Sequence, residues 1–211
     1  LGLRDKHEEE ATQNNIDWID LVVCNLYPFS ETISRNDCDL EIALENIDIG
    51  GPTMIRSAAK NLGWTAVVVD TDDYLSVASE LIENKEISFQ TRKVLSAKAF
   101  GHTAQYDTII HGYLKDEKLS ENLSVTFIKH SDMRYGENPH QSAASYVIPG
   151  NKEPNILNAT THQGKKLSYN NIMDADGALA CVREFEEMAC VVVKHANPCG
   201  VAANRSSFKS F

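Results

Sequence analysis

The sequence predicts an α/β protein built in two parts, and three observations carry that expectation. The apolar runs Leu21–Asn25, Trp64–Val69 and Ala189–Val193 have the length of buried strands rather than of helices. Segments with apolar residues at helical spacing lie between them. A polar, aperiodic stretch from Lys115 to Asn122 separates an earlier group of elements from a later one. The expected boundary lies at 122/123, giving parts 1–122 and 123–211.

In chain order, the first strand Leu21–Asn25 is interrupted by Tyr27-Pro28. Asp39 then offers an N-cap to a helix whose apolar positions are Leu40, Ala43, Leu44 and Ile47. Asp48-Ile49-Gly50-Gly51-Pro52 is a turn into a helix running from about Pro52 to Asn61, with proline at a tolerated first-turn position. Trp64–Val69 is the second strand and stops at Asp70. A third helix starts at Thr71 or Asp72 and carries Tyr74, Ala78, Leu81 and Ile82. Ser88 caps a longer helix with Leu95, Ala99, His102, Tyr106, Ile109 and Tyr113 at helical spacing.

The second part opens with strand-like Val125–Ile128 and a further strand candidate, Ala143–Val147. Residues 151–163 read as loop. Asp174–Glu186 has helical spacing through Ala178, Leu179, Val182 and Phe185. The Ala189–Val193 strand is expected to be buried and to stop at Lys194-His195, followed by a tight Asn197-Pro198-Cys199-Gly200 turn.

Twenty Lys and Arg against 30 Asp and Glu give a net charge of −10. That balance argues against nucleic acid or acidic membrane as a partner, while leaving room for a small basic pocket. Cys24, Cys38, Cys181, Cys190 and Cys199 are odd in number and include no Cys-x-x-Cys pair. Neither a disulfide framework nor a zinc site is expected, and the compartment reads as a reducing cytoplasm. No apolar stretch approaches the roughly 18 residues of a membrane span. The chain begins at Leu1 rather than Met and reads as an excerpt of a longer protein, its first few residues resembling the interior of a loop.

Two clusters carry chemistry. In the first, Tyr27 follows a strand end, Asp48 precedes a Gly-Gly-Pro turn with free N–H groups at a helix start, and Lys60 closes that helix. In the second, Arg134-Tyr135-Gly136-Glu137-Asn138-Pro139-His140-Gln141 offers an anion clamp and a stacking ring. Asn170-Asn171 adds amides at a helix start, and Lys194-His195 adds a cation and a base. Plainer readings stand beside each: Lys60 a solvated helix residue, Arg134 a surface ion pair, Asn170-Asn171 an ordinary cap.

Four ordered motifs raise this above composition. Asn25–Phe29 (Asn-Leu-Tyr-Pro-Phe), the run Ile47–Asn61, the run Arg134–Gln141 and Val193–Gly200 (Val-Lys-His-Ala-Asn-Pro-Cys-Gly) together resemble the bifunctional purine-biosynthesis family of AICAR transformylase/IMP cyclohydrolases. The resemblance extends from Leu1 to about Val201. It implies the later part of a Rossmann-like (methylglyoxal-synthase-like) cyclohydrolase domain, followed by the opening of a cytidine-deaminase-like α/β transformylase domain. It further implies that the family's phosphate-binding loops and folate site lie outside this sequence.

The reactions implied are formyl transfer from 10-formyltetrahydrofolate to AICAR, then closure of FAICAR to IMP with loss of water, without a metal. By the resemblance, His195 is the base and Lys194 stabilises the oxyanion. Arg134, Tyr135 and Asn171 hold the nucleotide. Tyr27, Asp48 and Lys60 serve cyclisation, and Cys24, Asn25 and Ile49 contact its nucleotide. A homodimer is implied as well. Two other readings are a non-catalytic purine-nucleotide-binding module and a scaffold fragment of the same protein.

Overall fold

The computed structural model describes residues 4–116 and 119–204. They fall into two compact units, Leu1–Val125 and Thr126–Phe211. Helices and short strands mix in both, so the class is α/β.

The first unit contains α1 (Arg4–Gln13), β1 (Leu21–Val23), α2 (Phe29–Ile33), α3 (Leu40–Glu45), α4 (Gly50–Lys60), β2 (Ala66–Val68), a 3-10 turn at Thr71–Asp73, α5 (Tyr74–Asn84) and α6 (Phe89–Leu114). β1 and β2 pair in parallel, with Leu21 opposite Ala66 and Val23 opposite Val68. The pair continues one step further where the Cys24 N–H donates to the Val68 carbonyl at 3.0 Å. A parallel pair needs a crossover, and α2, α3 and α4 supply it.

β2 explains its unbroken apolar run. Val67 and Val69 pack with Ile55, Ala58 and Ala59 of α4 and with Ala99 of α6. Ala66 and Val68 pack with Val77, Ile87 and Leu95. Alternate side chains thus enter apolar clusters on opposite faces, and both faces are buried. Each fully buried Val or Ile contributes about 1.5–3 kcal/mol of burial free energy.

Local signals set the helix ends. Asp39 Oδ1 accepts the Ile42 N–H at 2.8 Å and starts α3. Ser88 Oγ accepts the Thr91 N–H at 3.2 Å and starts α6. One α6 side chain, Arg92, donates to the carbonyls of Leu62, Gly63 and Ile87 at 2.8–2.9 Å, tying the turn before β2 to the helix. Phe29 sits edge-on to Tyr106 and Tyr113 of α6, with ring centroids 6.2 and 5.8 Å apart. That contact docks the chain after Pro28, where the expected interruption is the start of the short α2.

α1 is a helix absent from the elements expected from the sequence. It is polar throughout and buries only Ala11, so apolar periodicity gives no sign of it. Its Glu, Ala and Gln residues favour helix intrinsically, and Arg4 pairs with Asp20 at the entrance to β1.

The second unit contains β3 (Ile128–Asp132), β4 (Ala144–Val147), a 3-10 turn at Ile156–Asn158, α7 (Tyr169–Val182), β5 (Ala189–Lys194) and β6 (Asn197–Ala203). β3 pairs antiparallel with β4, and β5 with β6. α7 starts five residues before the expected Asp174, because Ser168 and Asn171 form a capping box.

Two expectations about β5 are corrected. It is half exposed rather than buried. Asn197–Gly200 is not a turn but the start of β6, and the reversal occurs one step earlier, at His195-Ala196. Pro198 is accommodated because the register shifts between Val192 and Val193, leaving Cys199 as the extra residue of a bulge.

Candidate functional site

In the first unit, the candidate residues gather where β1 ends and α4 begins. Asp48 is the hub. Its Oδ2 accepts the Tyr27 N–H at 3.3 Å and its Oδ1 accepts the Gly51 N–H at 2.7 Å. Its own N–H donates to the Tyr106 hydroxyl at 2.8 Å, and that hydroxyl lies 3.4 Å from the Asn46 carbonyl it can donate to. A carboxylate thus bridges the loop after β1 to the first turn of α4, with α6 behind it. The ends of parallel strands are where α/β sheets place ligands.

The Gly-Gly-Pro turn offers fewer free donors than its sequence suggests. Asp48 already takes the Gly51 N–H, and Pro52 has none, which leaves Gly50 of the three. Gly51 is required for close approach, since a Cβ there would lie 2.6 Å from both Asp48 Oδ2 and Leu26 Cδ2.

Around this hub, Tyr27 is 57% exposed and Ile49 is 74% exposed, so both side chains stand open to a ligand. Asn25 Oδ1 accepts a hydrogen bond from the Tyr74 hydroxyl at 3.2 Å. Cys24 is half-buried. Burial, and then the negative charge of Asp48, push its thiol pKa up, so it stays protonated and poorly nucleophilic.

Lys60 belongs to the helix that follows the Gly-Gly turn. It is the last residue of α4, whereas Asp48 sits just before the first. At about 1.5 Å per residue, the helix places them about 15 Å apart along its axis. Lys60 thus stands near the end of the helix, as its spacing from Asp48 implies.

One residue escaped the sequence reading as a site candidate. Asn25 and Tyr27 line a cleft of about 250 Å³ together with His102, Gln105 and Tyr106 of α6. His102 Nε2 is the one buried side-chain polar atom without a hydrogen-bond partner among the described residues. Burial lowers the imidazole pKa, nearby Asp70 works against that, and Lys98 adds to it. In the sequence, His102 was visible only as one position of a helical stripe.

In the second unit, α7 organises the candidates. The Arg134 N–H donates to the Leu167 carbonyl and the Tyr169 N–H to the Tyr135 carbonyl, both at 3.1 Å. The Arg134-Tyr135 segment is thereby laced to the start of α7. Arg134 Nη2 donates to the Tyr135 hydroxyl at 3.0 Å, and its guanidinium lies 4.8 Å from the ring centroid. The Arg134 hydrogen bond, then that of Ser168, and then the Arg134 charge lower the Tyr135 phenol pKa. Asn171 Oδ1 accepts from the N–H and hydroxyl of Ser168 at 3.2 and 2.9 Å. Its side-chain oxygen is committed to capping, and its amide NH₂ is not part of the box.

Lys194 and His195 sit at the other contact of α7. Lys194 pairs with Asn197, and His195 and Ala196 form the two-residue turn between them with φ of 53° and 57°. Two successive left-handed residues match a type I′ hairpin turn, which favours Asn-Gly. Histidine and alanine hold this conformation at a cost of about 1–2 kcal/mol each. The strain is offset locally: Asn197 Nδ2 donates to the His195 carbonyl and the Ala196 N–H donates to Asp174 Oδ1, each at 2.7 Å. Both Lys194 and His195 are exposed.

A cavity of about 640 Å³ lined by Phe127, Tyr146, Tyr169 and Met173 lies in the same unit, and none of the sequence-predicted site residues lines it. Among the described residues, no group of three or more His, Cys, Asp or Glu is placed to hold a metal ion. No helix among them is long and apolar enough to cross a membrane.

A family model described as AICARFT/IMPCHase bienzyme matches residues 58–211. The chain belongs to the AICARFT/IMPCHase bienzyme family. The match takes in the Arg134–Gln141 and Val193–Gly200 motifs and, in the first unit, Lys60 and α6, while Tyr27 and Asp48 precede it. A solved structure titled "Crystal structure of ForH" is 31% identical to this chain, over 50% of this chain and 55% of that one, with a TM-score of 0.45. This chain therefore spans about half the length of that relative.

Proposed function

We propose that this chain contributes to two consecutive reactions of purine biosynthesis. A formyl group passes from 10-formyltetrahydrofolate to the 5-amino group of AICAR, and the product FAICAR closes to IMP with loss of water. Family membership supports the reading. The observation that carries it is the convergence on α7, where Arg134, Tyr135 and Asn171 meet one end of the helix and the His195 turn is bonded one helical turn further on.

For formyl transfer, the AICAR amine attacks the formyl carbon. The amine is weakly nucleophilic because its lone pair is delocalised, so a base must take its proton as the C–N bond forms. His195 is assigned that role. Lys194, its neighbour at the end of β5, stabilises the oxyanion of the tetrahedral intermediate. Collapse of that intermediate breaks the bond to the folate nitrogen, which leaves as tetrahydrofolate after taking up a proton. Arg134 binds the nucleotide's anionic end and Tyr135 its ring or hydroxyls, and the Asn171 amide donates to the substrate.

For cyclisation, the carboxamide nitrogen attacks the formyl carbon of the same molecule, and the formyl oxygen leaves as water. Holding the two groups in contact is the main task. Asp48 and the Tyr27 hydroxyl orient them, and Cys24, Asn25 and Ile49 contact the nucleotide. Lys60 keeps its assignment as a proton donor or acceptor from the family resemblance alone, since α4 separates it from Asp48.

The two units are proposed to be parts of the Rossmann-like cyclohydrolase and the cytidine-deaminase-like transformylase domains. The parent protein is proposed to be a cytoplasmic homodimer. The test is conversion of AICAR and 10-formyltetrahydrofolate to IMP by the parent protein, followed by mass spectrometry. His195→Ala should abolish formyl transfer and spare closure of supplied FAICAR. Equal loss of both activities in a folded variant would refute the assignment of separate sites.

A further inference from the structure

The hairpin turn that presents His195 is an unfavourable one for its sequence. A type I′ turn asks for Asn or Gly where this chain has histidine and alanine, and both take positive φ. Such residues persist only where the surroundings over-determine them. Here the surroundings are α7. The Ala196 N–H donates to Asp174 Oδ1 at 2.7 Å, a charge-assisted bond at the short end of its range. A Cβ on Gly177, three residues along the same helix, would lie 3.3 Å from the Ala196 carbonyl oxygen and 3.6 Å from its Cα. The turn thus rests on the Asp174–Gly177 face, with glycine permitting the approach and aspartate supplying the acceptor.

The same helix is fixed at its start by the Ser168–Asn171 capping box, and Arg134-Tyr135 is laced to that start. Asp174 lies three residues after Asn171, on a neighbouring part of the same helix face. One rigid element therefore sets the register between the nucleotide-holding residues and the His195 turn.

We propose that Asp174 is the positioning residue of the formyl-transfer centre, its carboxylate locking the left-handed His195-Ala196 turn onto α7 so that the imidazole is held at a fixed place relative to Tyr135 and Asn171. This rests on the reading of His195 given above. Asp174 touches no reacting atom. It acts by removing alternative conformations of the turn, so its loss lowers turnover more than substrate affinity.

The experiment uses the full-length enzyme with Asp174→Ala and Asp174→Asn. Asparagine keeps an oxygen acceptor and removes the charge; alanine removes the acceptor. Misplacing a reacting group by about 1 Å costs up to about 100-fold. Asp174→Ala is therefore expected to lower kcat for formyl transfer about 10- to 100-fold, with KM for AICAR changed less than about 3-fold. Asp174→Asn should retain most of the rate, and closure of supplied FAICAR should be unchanged in both.

Independently of activity, hydrogen exchange at the Ala196 amide should be slow in the wild type and in Asp174→Asn, and fast in Asp174→Ala. Unchanged exchange in Asp174→Ala, an effect on KM alone, or equal loss in the two variants would each overturn the proposal. So would loss of both activities, which would mark Asp174 as a folding residue. If the wild type shows no formyl transfer, the reading of the site has failed, and the exchange measurement alone decides whether Asp174 holds the turn.

Discussion

Replacing Gly51 by alanine should damage the first unit, while the same change at Gly50 should not. A Cβ at Gly51 meets Asp48 Oδ2 at 2.6 Å, Leu26 Cδ2 at 2.6 Å and Asp48 Cγ at 2.9 Å, whereas a Cβ at Gly50 meets nothing within 4 Å. Leu26 ends in a flexible side chain and can turn aside. Asp48 cannot move freely, because its carboxylate accepts from Tyr27 and Gly51 and its N–H is held by Tyr106. Overpacking of this kind costs about 1–3 kcal/mol. Loss of the longer bond from Tyr27 adds about 1 kcal/mol. Alanine recovers at most about 1 kcal/mol in helix propensity. The net destabilisation for Gly51→Ala is about 2 kcal/mol, and Gly50→Ala is neutral or slightly stabilising. Urea unfolding followed by tryptophan fluorescence reads this unit, since Trp18 and Trp64 both belong to it. With a slope of about 2 kcal/mol per molar urea, the Gly51→Ala midpoint should fall by about 1 M. Equal midpoints for the two variants would refute the claim that Asp48 is immobilised against α4.

Three further outcomes follow from the geometry. Burial holds the His102 imidazole pKa below the ordinary 6.5, so the unfolded chain binds the proton more readily. Stability should therefore be full above 6.5, fall as pH drops below it, and show a flatter pH slope in His102→Gln, as read by urea midpoints between pH 5 and pH 8. Asp48→Asn removes the second cause of the raised Cys24 thiol pKa and leaves the first, burial. Alkylation of Cys24 by iodoacetamide, followed by peptide mass spectrometry, should become faster without reaching the rate of a free thiol. Arg134→Met removes the leading cause of the lowered Tyr135 phenol pKa. A spectrophotometric tyrosinate titration should then move toward higher pH, and AICAR binding to the full-length enzyme should weaken about 10-fold or more through loss of the bidentate cation.

Several features were legible because one residue type forces one local outcome. Ser88 and Asp39 each have a side-chain oxygen that can take an orphan helix N–H, and both do. The unbroken apolar run through Ala66–Val69 required a strand buried on both faces, and β2 is one. The helical α1 was not legible, because its stability owes little to apolar burial and its sequence has no apolar period.

The sequence by itself determined the alternation of strands and helices, the caps and the four motifs that resemble the family. These are properties of short windows, in which spacing and side-chain chemistry act on the nearest backbone. Tertiary structure alone decided which motifs meet. It moved the hairpin reversal from Asn197–Gly200 to His195-Ala196 and brought Asp174 and His102 into play. The turn shows the physical reason: histidine and alanine do not favour left-handed φ, and what holds them there is an acceptor and a glycine-permitted approach from a helix some twenty residues earlier in the chain.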